Sequence, residues 1–315
     1  MPQDAPERRI WLDGALVPWS QATVHVLSHS LQRGSLIFDY TSVHETPRGP
    51  AIFRLSEHLE RFRRSAWIVG LPLVQDVEEL ERAVLETVRA NPGATAVKIS
   101  AYLPSIEVDV VPQDDHVAVA IAAYDPIRDV ILKKPGEQPF RPSLRVWVEK
   151  ERRNRRDDIL PPQAKAAAQY LSPMAAKWDA RRRGYDEVLL LDLDGYVAEG
   201  PTTNVFLVDP DRKLRTPPED RVLHGITRRS ILELAKHDGI PALEVRVRPE
   251  ELAHAREVFL TGTSAGVWPV VSIDGHPVGG GEPGPITLKL RERFAQVVGG
   301  RDPDFVAWLT PVAER

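Results

Sequence analysis

A single lysine lies in a segment that is otherwise almost without charge or bulk. Lys165 stands in the sequence QAKAAAQY, where Ala164 and 166–168 surround it. A lysine withdrawn from water has a lowered pKa, and its neutral amine can attack a carbonyl carbon to form a Schiff base. The small neighbours would leave room for a flat molecule beside the amine. For this segment alone, a helix lysine that points at water is the more ordinary explanation.

A carboxylate at the end of a predicted strand is the second candidate for chemistry. Glu199 ends the run LDLDGYVAE and is followed by Gly200, Pro201 and three small polar residues. A carboxylate in this position can keep the nitrogen of a pyridine ring protonated, which makes the ring an acceptor of electrons. A surface glutamate at a turn is the alternative interpretation.

Two glycine-led turns offer backbone N–H groups next to a threonine hydroxyl. The turn HGIT at 224–227 runs into a predicted helix, whose N-terminus favours an anion. The turn LTGT at 260–263 follows a predicted strand. One such turn alone is compatible with a simple helix cap. Together with an amine and a carboxylate, the two turns make up the parts that a phosphorylated pyridine aldehyde requires.

Other chemistries find less support in the sequence. There is no Walker A lysine and no H-E-x-x-H motif. His25 and His29 are four apart, but the Val-His-Val alternation predicts a strand, where this spacing does not gather metal ligands, so we expect no metal. The basic run ERRNRR at 151–156 is interpreted as a solvated loop or an anchor to an acidic patch, rather than as an RNA-binding segment.

The composition narrows the class of protein. The chain has 315 residues, a formal net charge of −4 and no cysteine, which excludes disulfides and thiolate sites. With this net charge we expect no general affinity for nucleic acid or for an anionic membrane. The N-terminal segment is polar and lacks the pattern of a signal peptide. We therefore expect a cytoplasmic protein.

Strands and helices alternate in the first half of the chain. RRIWLDGALVPWS predicts a hairpin, and AVKISAYL and VAVAIAAY predict two further strands. LSEHLERFRRSAWIVG predicts a helix with Ser56 as its N-cap. A second helix is predicted at DVEELERAVLETVR, where Asp76 and Glu79 have the spacing of a capping box.

The second half is richer in short strands, and helices are predicted near 165–183 and 227–238. A proline-rich segment before it predicts a linker. The predicted fold class is α/β (α+β) with two domains. They are a small N-terminal α/β domain at 1–127, a linker at 128–142, and a larger domain at 143–315 with a barrel-like mixed sheet.

Six segments resemble, in family order, the class IV (fold type IV) pyridoxal-phosphate aminotransferases, and within that class the branched-chain amino-acid aminotransferases. The resemblance runs over nearly the whole chain, and six ordered segments are far more specific than any single motif. The segments are IWLDGALVPWSQATVHVLSHSLQRG, FRLSEHLERFRRSA, KAAAQYLS, GYDEVLLLDLDGYVAEGPTTNVF, GITRRSILELA and EVFLTGTSAGVWPV.

The resemblance implies a role for each matching residue. Lys165 is similar to the lysine that forms the internal aldimine with pyridoxal 5′-phosphate and shuttles the proton at Cα. Tyr170 resembles the tyrosine that hydrogen-bonds the phenolic oxygen of the cofactor, and Glu199 the partner of the pyridine nitrogen. Arg61 resembles the phosphate-binding arginine. The remaining phosphate contacts are implied for Ile226, Thr227, Gly262 and Thr263.

The resemblance also implies a reaction and its partners. The expected reaction is the ping-pong transfer of the amino group of an aliphatic, branched-chain-like amino acid to 2-oxoglutarate. The expected assembly is a homodimer or a higher homo-oligomer. We expect no nucleic-acid partner and no membrane.

The positions that bind the substrate in the branched-chain family carry different residues in this chain. Where the family usually has His-Tyr-Gly, this chain has Gln32-Arg33-Gly34, and where it has Phe-Glu-Gly-x-Arg, this chain has Phe38 to Ser42, with Tyr40 inside. The family's later Tyr-x-Arg is aligned here with Val97-Lys98-Ile99. Arg33 and Lys98, with Phe38 beside them, are therefore candidate substrate-binding residues, since a carboxylate leaving water needs a charged donor.

Two alternative functions stay open. A D-amino-acid or (R)-amine transaminase of the same fold would explain the altered carboxylate positions. A lyase resembling the aminodeoxychorismate lyases is the second alternative, although the order of VHVLSHSLQRG is more similar to the branched-chain group.

Overall fold

The computed structural model describes residues 7–131 and 141–313. The chain divides into two compact units. The first comprises Met1–Phe140, Ala164–Ala168 and Val298–Arg315, and the second comprises Arg141–Gln163 and Gln169–Val297. This division differs from the predicted boundaries in two places, because the segment around Lys165 and the C-terminal segment belong to the first unit. Most of the predicted linker at 128–142 lies outside the described residues.

Sixteen strands are present in the described residues. In chain order they are β1 (Arg9–Leu12), β2 (Ala15–Pro18), β3 (Leu36–Thr46), β4 (Gly49–Phe53), β5 (Ala96–Tyr102), β6 (Ala118–Tyr124), β7 (Leu144–Arg153), β8 (Glu187–Leu191), β9 (Val197–Glu199), β10 (Asn204–Val208), β11 (Leu214–Thr216), β12 (Ala242–Glu244), β13 (Glu257–Gly262), β14 (Gly266–Ile273), β15 (His276–Pro277) and β16 (Leu309–Pro311).

Six α-helices accompany these strands in the same described ranges. They are α1 (His29–Arg33), α2 (Leu55–Val69), α3 (Val77–Arg89), α4 (Leu171–Arg182), α5 (Ile226–His237) and α6 (Pro285–Val298). Shorter helical turns are Trp19–Gln21, Pro126–Val130, Ala167–Tyr170, Glu219–Arg221, Pro249–His254 and Pro303–Trp308. Across 7–131 and 141–313, no helix is long and apolar enough to cross a membrane.

The first unit is built on a seven-stranded sheet in the order β16-β4-β3-β5-β6-β1-β2, and all neighbouring strands are antiparallel. The predicted hairpin is confirmed, with Asp13 and Gly14 both at positive φ in its turn. Helix α2 packs on β3, and α3 packs on β6. Alternate residues of the strands, which all point to one face, are fully buried: Ile37, Val97, Ile99, Val119 and Ile121.

Of the two predicted helix N-caps in the first unit, one is confirmed and one is wrong. Asp76 and Glu79 form the predicted capping box at the start of α3. Ser56 is not the N-cap of α2. That position belongs to Arg54, a buried residue with φ of 46°. Strand β4 ends at Phe53, so the helix begins at once and Ser56 falls inside its first turn.

The second unit contains a closed, barrel-like sheet, as predicted. Strands β10, β13, β14, β7, β8 and β9 pair in this order, and β9 closes the ring by pairing with β10 at Glu199 and Asn204. The pairs β14–β7 and β7–β8 are parallel and the others are antiparallel, so the sheet is mixed. Apolar side chains of the ring pack into one core, which includes Val146, Val148, Leu189, Val205, Leu260 and Val270.

Two further predictions of local structure are wrong. The helix predicted near 165–183 begins only at Leu171, and Lys165 lies in extended chain before it. The backbone there pairs with β3, and these bonds override the helix propensity of the alanines. The segment around His25 and His29 is not a strand, because His29 begins α1. No group of metal-ligating side chains is found in the described residues.

Candidate active site

The backbone of Lys165 is held at both of its polar groups within the first unit. Its N–H donates to Ser65 Oγ at 3.0 Å, and its C=O accepts the N–H of Phe38 at 3.0 Å. The next residue, Ala166, forms a β-bridge with Ile37. Lys165 is buried, with 9% of its surface exposed. The lysine is therefore fixed at the edge of β3 and does not lie on a mobile helix surface.

One aromatic ring lies close to two ammonium groups of the first unit. Lys165 Nζ is 5.0 Å from the centre of the Phe38 ring, and Lys98 Nζ is 4.9 Å from the same centre. Lys98 is exposed, and it pairs with Tyr40 across β5 and β3. A cation over an aromatic face is attracted by the ring. Phe38 thus connects the amine of Lys165 with a second positive charge on the same face of the sheet.

Side chains of β5 point to opposite faces of the sheet in turn, so Lys98 lies on one face and its neighbours Val97 and Ile99 on the other. Val97 and Ile99 are fully buried on the opposite face of the sheet. These two residues therefore do not share a face with Phe38, and the alignment of the family's Tyr-x-Arg with Val97-Lys98-Ile99 keeps only Lys98 beside that ring.

The face that carries Phe38 continues with polar residues of β3. Ser42 Oγ and His44 Nε2 are 2.7 Å apart. Burial lowers the pKa of His44 from 6.5 to about 4, so its ring is neutral at neutral pH. Burial raises the pKa of Tyr40, and Tyr124 and Asp125 raise it further. This part of the face therefore offers uncharged hydrogen-bonding groups.

Arg61 belongs to a buried ionic cluster that joins α2 to Asp39 of β3. Its Nε and Nη2 donate to the two carboxylate oxygens of Asp39, each at 2.8 Å. His58 Nδ1 lies 2.7 Å from Asp39 Oδ1. The pKa of Asp39 is raised by its burial, but Arg61 and His58 outweigh this and hold it well below its usual range. Burial lowers the pKa of His58, so the cluster pairs one carboxylate with one guanidinium. The bidentate contact fixes the orientation of Arg61.

Glu199 is the most heavily hydrogen-bonded carboxylate of the second unit's site. It ends β9, as predicted, and Oε1 lies 3.1 Å from Arg155 Nη1 and 3.2 Å from Asn154 Nδ2. Oε2 accepts Asn204 Nδ2 at 3.3 Å and the N–H of Leu223 at 3.2 Å. Four donors therefore surround a carboxylate that is almost fully buried.

The basic run at 151–156 is not a uniform solvated loop. Arg156 is exposed and pairs with the exposed Asp158, as that interpretation requires. Asn154 and Arg155 are instead buried against Glu199. The guanidinium of Arg155 also lies 5.0 Å from the ring centre of Tyr170. The interpretation of the run as a solvated loop is thus wrong for these two residues, whereas the ion pair of Arg155 with Glu199 agrees with the alternative of an anchor to an acidic group.

The two glycine-led turns lie at the ends of regular elements. Helix α5 begins at Ile226 and Thr227, with Gly225 as its N-cap, so its first N–H groups point out of the helix. Gly262 ends β13 and Thr263 begins the following turn. Both turns contact β10 or the residues before it, because Gly225 approaches Asn204 and Gly262 approaches Thr202 and Thr203.

These turns fit a group that carries a phosphate. A side chain on Gly225 would collide with Asn204 Oδ1, so the approach requires glycine. The hydroxyls of Thr203 and Thr261 are buried and have no hydrogen-bond partner in the described residues. Orphan N–H groups and buried hydroxyls are the donors that an anion at a helix N-terminus requires.

Arg33 lies at the end of α1 and is exposed. Its guanidinium donates to the backbone carbonyls of Glu107 and Val108. These bonds connect α1 to the segment at 106–111, within the first unit. The structure therefore gives Lys98, rather than Arg33, a direct contact with the ring beside Lys165.

The predicted site residues fall into two groups. Lys165, Arg61, Phe38, Lys98 and Arg33 belong to the first unit, and the remaining ones belong to the second unit: Tyr170, Glu199, Ile226, Thr227, Gly262 and Thr263.

Five residues that contact these groups escaped the sequence analysis: Asp39, His58, Ser65, Asn154 and Arg155. Asp39 stands where the family has Glu, and Asn154 and Arg155 lie in the basic run at 151–156, so these three had a signal in the sequence, whereas His58 and Ser65 had none.

Comparison with known proteins identifies the family of the chain. The family model for amino-transferase class IV matches residues 37–273. The branched-chain-amino-acid aminotransferase of Salmonella typhimurium is 35% identical over 306 residues, which are 96% of this chain and 97% of that protein.

Solved structures are similar over the same length. The branched-chain aminotransferase of Thermoproteus uzoniensis with norvaline has a TM-score of 0.88 and 37% identity, and the match covers 97% of this chain and 99% of that one. The T.th. branched-chain amino acid aminotransferase complexed with N-(5′-phosphopyridoxyl)-L-glutamate has a TM-score of 0.89 and 35% identity, with 98% and 99% covered.

The matching relatives are aminotransferases, and one of them was solved with a phosphopyridoxyl derivative of glutamate. The protein is a pyridoxal-phosphate-dependent transaminase. Within that class, the chain belongs to the class IV amino-transferases.

Proposed function

We propose that this transaminase moves the amino group of an aliphatic, branched-chain-like amino acid to 2-oxoglutarate by a ping-pong mechanism. The observation that carries the proposal is the position of Lys165, whose backbone is pinned to Ser65 and Phe38 while its amine lies beside the Phe38 ring. The substrate class is supported by relatives that were solved with norvaline, with 4-methylvaleric acid and with a phosphopyridoxyl derivative of L-glutamate.

Lys165 is proposed to bind the cofactor and to move the proton at the substrate Cα with its Nζ. When bound, pyridoxal phosphate supplies a carbonyl carbon for the amino group and a ring that withdraws electrons from Cα. The fixed backbone of Lys165 limits the positions that Nζ can take, which favours transfer of the proton on one face of the substrate.

Glu199 and Tyr170 are proposed to hold the two polar edges of the cofactor ring. Glu199 would accept the hydrogen bond of the ring nitrogen, and the Tyr170 hydroxyl would bind the phenolic oxygen. The carboxylate already has four donors around it, so its position does not depend on the ligand.

The phosphate is proposed to bind Arg61, the first N–H groups of α5 at Ile226 and Thr227, and the turn at Gly262 and Thr263. Support comes from the orphan donors of the helix N-terminus and from the buried hydroxyls beside the turns. Asp39 holds two N–H groups of Arg61 and so orients the guanidinium.

The substrate carboxylate is proposed to bind Lys98. Its ammonium is on the face of the sheet that carries Phe38, at nearly the same distance from the ring as the amine of Lys165. Arg33 remains the second candidate, although its bonds to the carbonyls of Glu107 and Val108 suit a role in holding the loop.

A homodimer is proposed as the assembly. The first unit exposes a valine-rich patch that is tied together by bonds of His29 to Val110 and of Arg33 to Val108. The patch consists of Val24, Val26, Leu27, Leu31, Ile106, Val108, Val110 and Val111. Exposed apolar patches of this kind mark protein interfaces. A second copy of the chain would bury it.

A transaminase for D-amino acids or (R)-amines of the same fold is the second candidate function. The observation that favours it is the polar, uncharged character of the sheet face at Tyr40, Ser42 and His44, beyond Lys98. A screen of L- and D-amino acids and amines against 2-oxoglutarate and pyruvate separates the two functions. No feature of the site favours a lyase over them.

Borohydride reduction in the presence of pyridoxal phosphate, followed by peptide mapping, tests the assignment of Lys165. We expect a pyridoxyl group on Lys165 alone. A label on another lysine, or none at all, would contradict the proposal. The cytoplasmic location stays a prediction, which fractionation of the source cells would test.

A further inference from the structure

Arg155 is the one buried arginine of the basic run at 151–156, since Arg152 and Arg153 are half-buried and Arg156 is exposed. Its side chain is 2% exposed, and its Nη1 lies 3.1 Å from Oε1 of Glu199, whose side chain is 3% exposed. The other three arginines of the run bind elsewhere. Arg152 pairs with Glu149 and Asp179, Arg153 donates to the carbonyl of Lys150, and Arg156 pairs with Asp158.

A buried carboxylate requires a compensating charge, because neutral donors repay only part of the cost of leaving water. Glu199 has three neutral donors, on Asn154, Asn204 and Leu223. Arg155 supplies a positive charge at ion-pair distance, since its Nη1 lies 3.1 Å from Glu199 Oε1.

The same guanidinium reaches a second group of the proposed cofactor site. The carbon at the centre of the Arg155 guanidinium is 5.0 Å from the ring centre of Tyr170. Its Nη1 also lies 3.4 Å from the carbonyl of Pro162. Arg155 Nε and Asn154 Oδ1 are buried without a partner in the described residues. The two side chains therefore do not bond each other through these atoms, and both donate to Glu199 Oε1.

We propose that Arg155 is a positioning residue that fixes the Glu199 carboxylate and the Tyr170 ring together for the two polar edges of the cofactor. The proposal rests on the role proposed above for Glu199. With pyridoxal phosphate bound, the charge of the guanidinium would help to keep the proton of the Glu199 hydrogen bond on the ring nitrogen. Without the guanidinium, the buried carboxylate would keep only neutral donors, and the proton would shift toward the carboxylate oxygen.

The test loads four proteins with pyridoxal phosphate labelled with ¹⁵N in the ring: the wild type, Arg155→Met, Arg155→Lys and Arg156→Met. Nuclear magnetic resonance of the label reports whether the ring nitrogen is protonated, and a titration of the apo protein reports affinity for the cofactor. Arg156 is the matched control, since it is the next residue and is exposed.

For Arg155→Met we expect the ¹⁵N signal to move toward that of neutral pyridine and the affinity to fall at least about tenfold, since removing one partner of a buried pair leaves an uncompensated charge. Arg155→Lys keeps the charge and should be intermediate. Arg156→Met should match the wild type within about twofold, as surface pairs contribute little. A wild-type signal and affinity in Arg155→Met would overturn the proposal.

Poor folding of Arg155→Met is also informative. Adding Glu199→Gln should restore folding, because the uncompensated charge is then removed, and a double-mutant cycle isolates this pair. Continued misfolding would overturn the proposal, since Arg155 would then act through other contacts. If the wild type itself does not bind the cofactor at Lys165, the proposed function fails. If it does and Arg155→Met behaves like it, only the role of Arg155 fails.

Discussion

The hydroxyl of Ser65 accepts the backbone N–H of Lys165 at 3.0 Å, although the two residues are one hundred positions apart. The same hydroxyl donates to the carbonyl of Arg61, one turn earlier on α2, at 2.8 Å. Ser65 is fully buried. One side chain thus joins the helix that carries Arg61 to the segment that carries the proposed catalytic lysine.

Replacing Ser65 with alanine should destabilise the protein. The change leaves the N–H of Lys165 buried without an acceptor, which costs about 1–3 kcal/mol in the free energy of unfolding. Chemical denaturation of the apo protein measures this. Ser56→Ala on the exposed face of the same helix is the matched control and should change stability by less than about 0.5 kcal/mol. Equal effects of the two changes would show that Ser65 does not hold Lys165.

Replacing Glu199 with glutamine should slow transamination strongly while the cofactor still binds. An amide cannot hold the ring nitrogen protonated, and the loss of such a charge-assisted bond costs about 2–3 kcal/mol at the transition state, or roughly a hundredfold in kcat. Steady-state kinetics with saturating cofactor measure it. Glu151→Gln is the matched control. It makes the same change at an exposed glutamate on β7 and should leave kcat unchanged. Near-normal turnover of Glu199→Gln would mean that another acid serves the ring.

Replacing Lys98 with alanine should weaken amino-acid and oxo-acid substrates but not the cofactor. A charged hydrogen bond lost from a carboxylate costs about 1.5–3 kcal/mol, so kcat/KM should fall roughly ten- to hundredfold. A plain amine has no carboxylate and should lose much less. Arg33→Ala is the parallel variant, and we expect a smaller contrast because its guanidinium binds backbone carbonyls. Equal losses for amine and amino acid would exclude Lys98 from carboxylate binding.

His44 should make stability fall as the pH is lowered from 6.5 to 4. Burial lowers the pKa of His44 from 6.5 to about 4 in the folded protein. The unfolded chain therefore binds more protons than the folded one in this range, and the free energy of unfolding decreases as the pH falls. The contribution of His44 is about 3 kcal/mol over the whole range.

Denaturant unfolding of the wild type and of His44→Gln at several pH values measures this contribution. The variant should show a shallower dependence between pH 6.5 and 4. The loss from Asp39 should come at lower pH, because Arg61 and His58 hold the pKa of that carboxyl below its usual range. Parallel curves for the two proteins would contradict the assignment to His44.

Replacing Val108 with glutamate should dissociate the proposed dimer. Val108 is 95% exposed in the valine-rich patch, and a carboxylate buried there without a partner should raise the dissociation constant at least about tenfold. Val74→Glu is the control, since Val74 is 81% exposed but lies outside the patch. Sedimentation over a range of concentrations measures both. A wild-type monomer, or the same dimer in both variants, would contradict the proposal.

Local patterns in the sequence predicted much of the architecture. The Asp13-Gly14 turn, the capping box at Asp76 and Glu79, and the strand that ends at Glu199 are all confirmed. Each of these features depends on residues within a few positions of one another. The types of the turn residues and the spacing of the apolar residues are therefore enough to predict it. The six ordered family segments also identified the class of enzyme, which the comparisons confirm.

Long-range contacts decided the rest. The alanines around Lys165 favour a helix, yet bonds to Ser65 and Phe38 hold the segment extended. The basic run looked solvated, but Arg155 is buried because Glu199, 44 positions later, needs a counter-charge. No local pattern records which distant side chain will compensate a charge or accept an N–H. The sequence therefore determined which groups are present, and tertiary packing determined which of them hold one another in place.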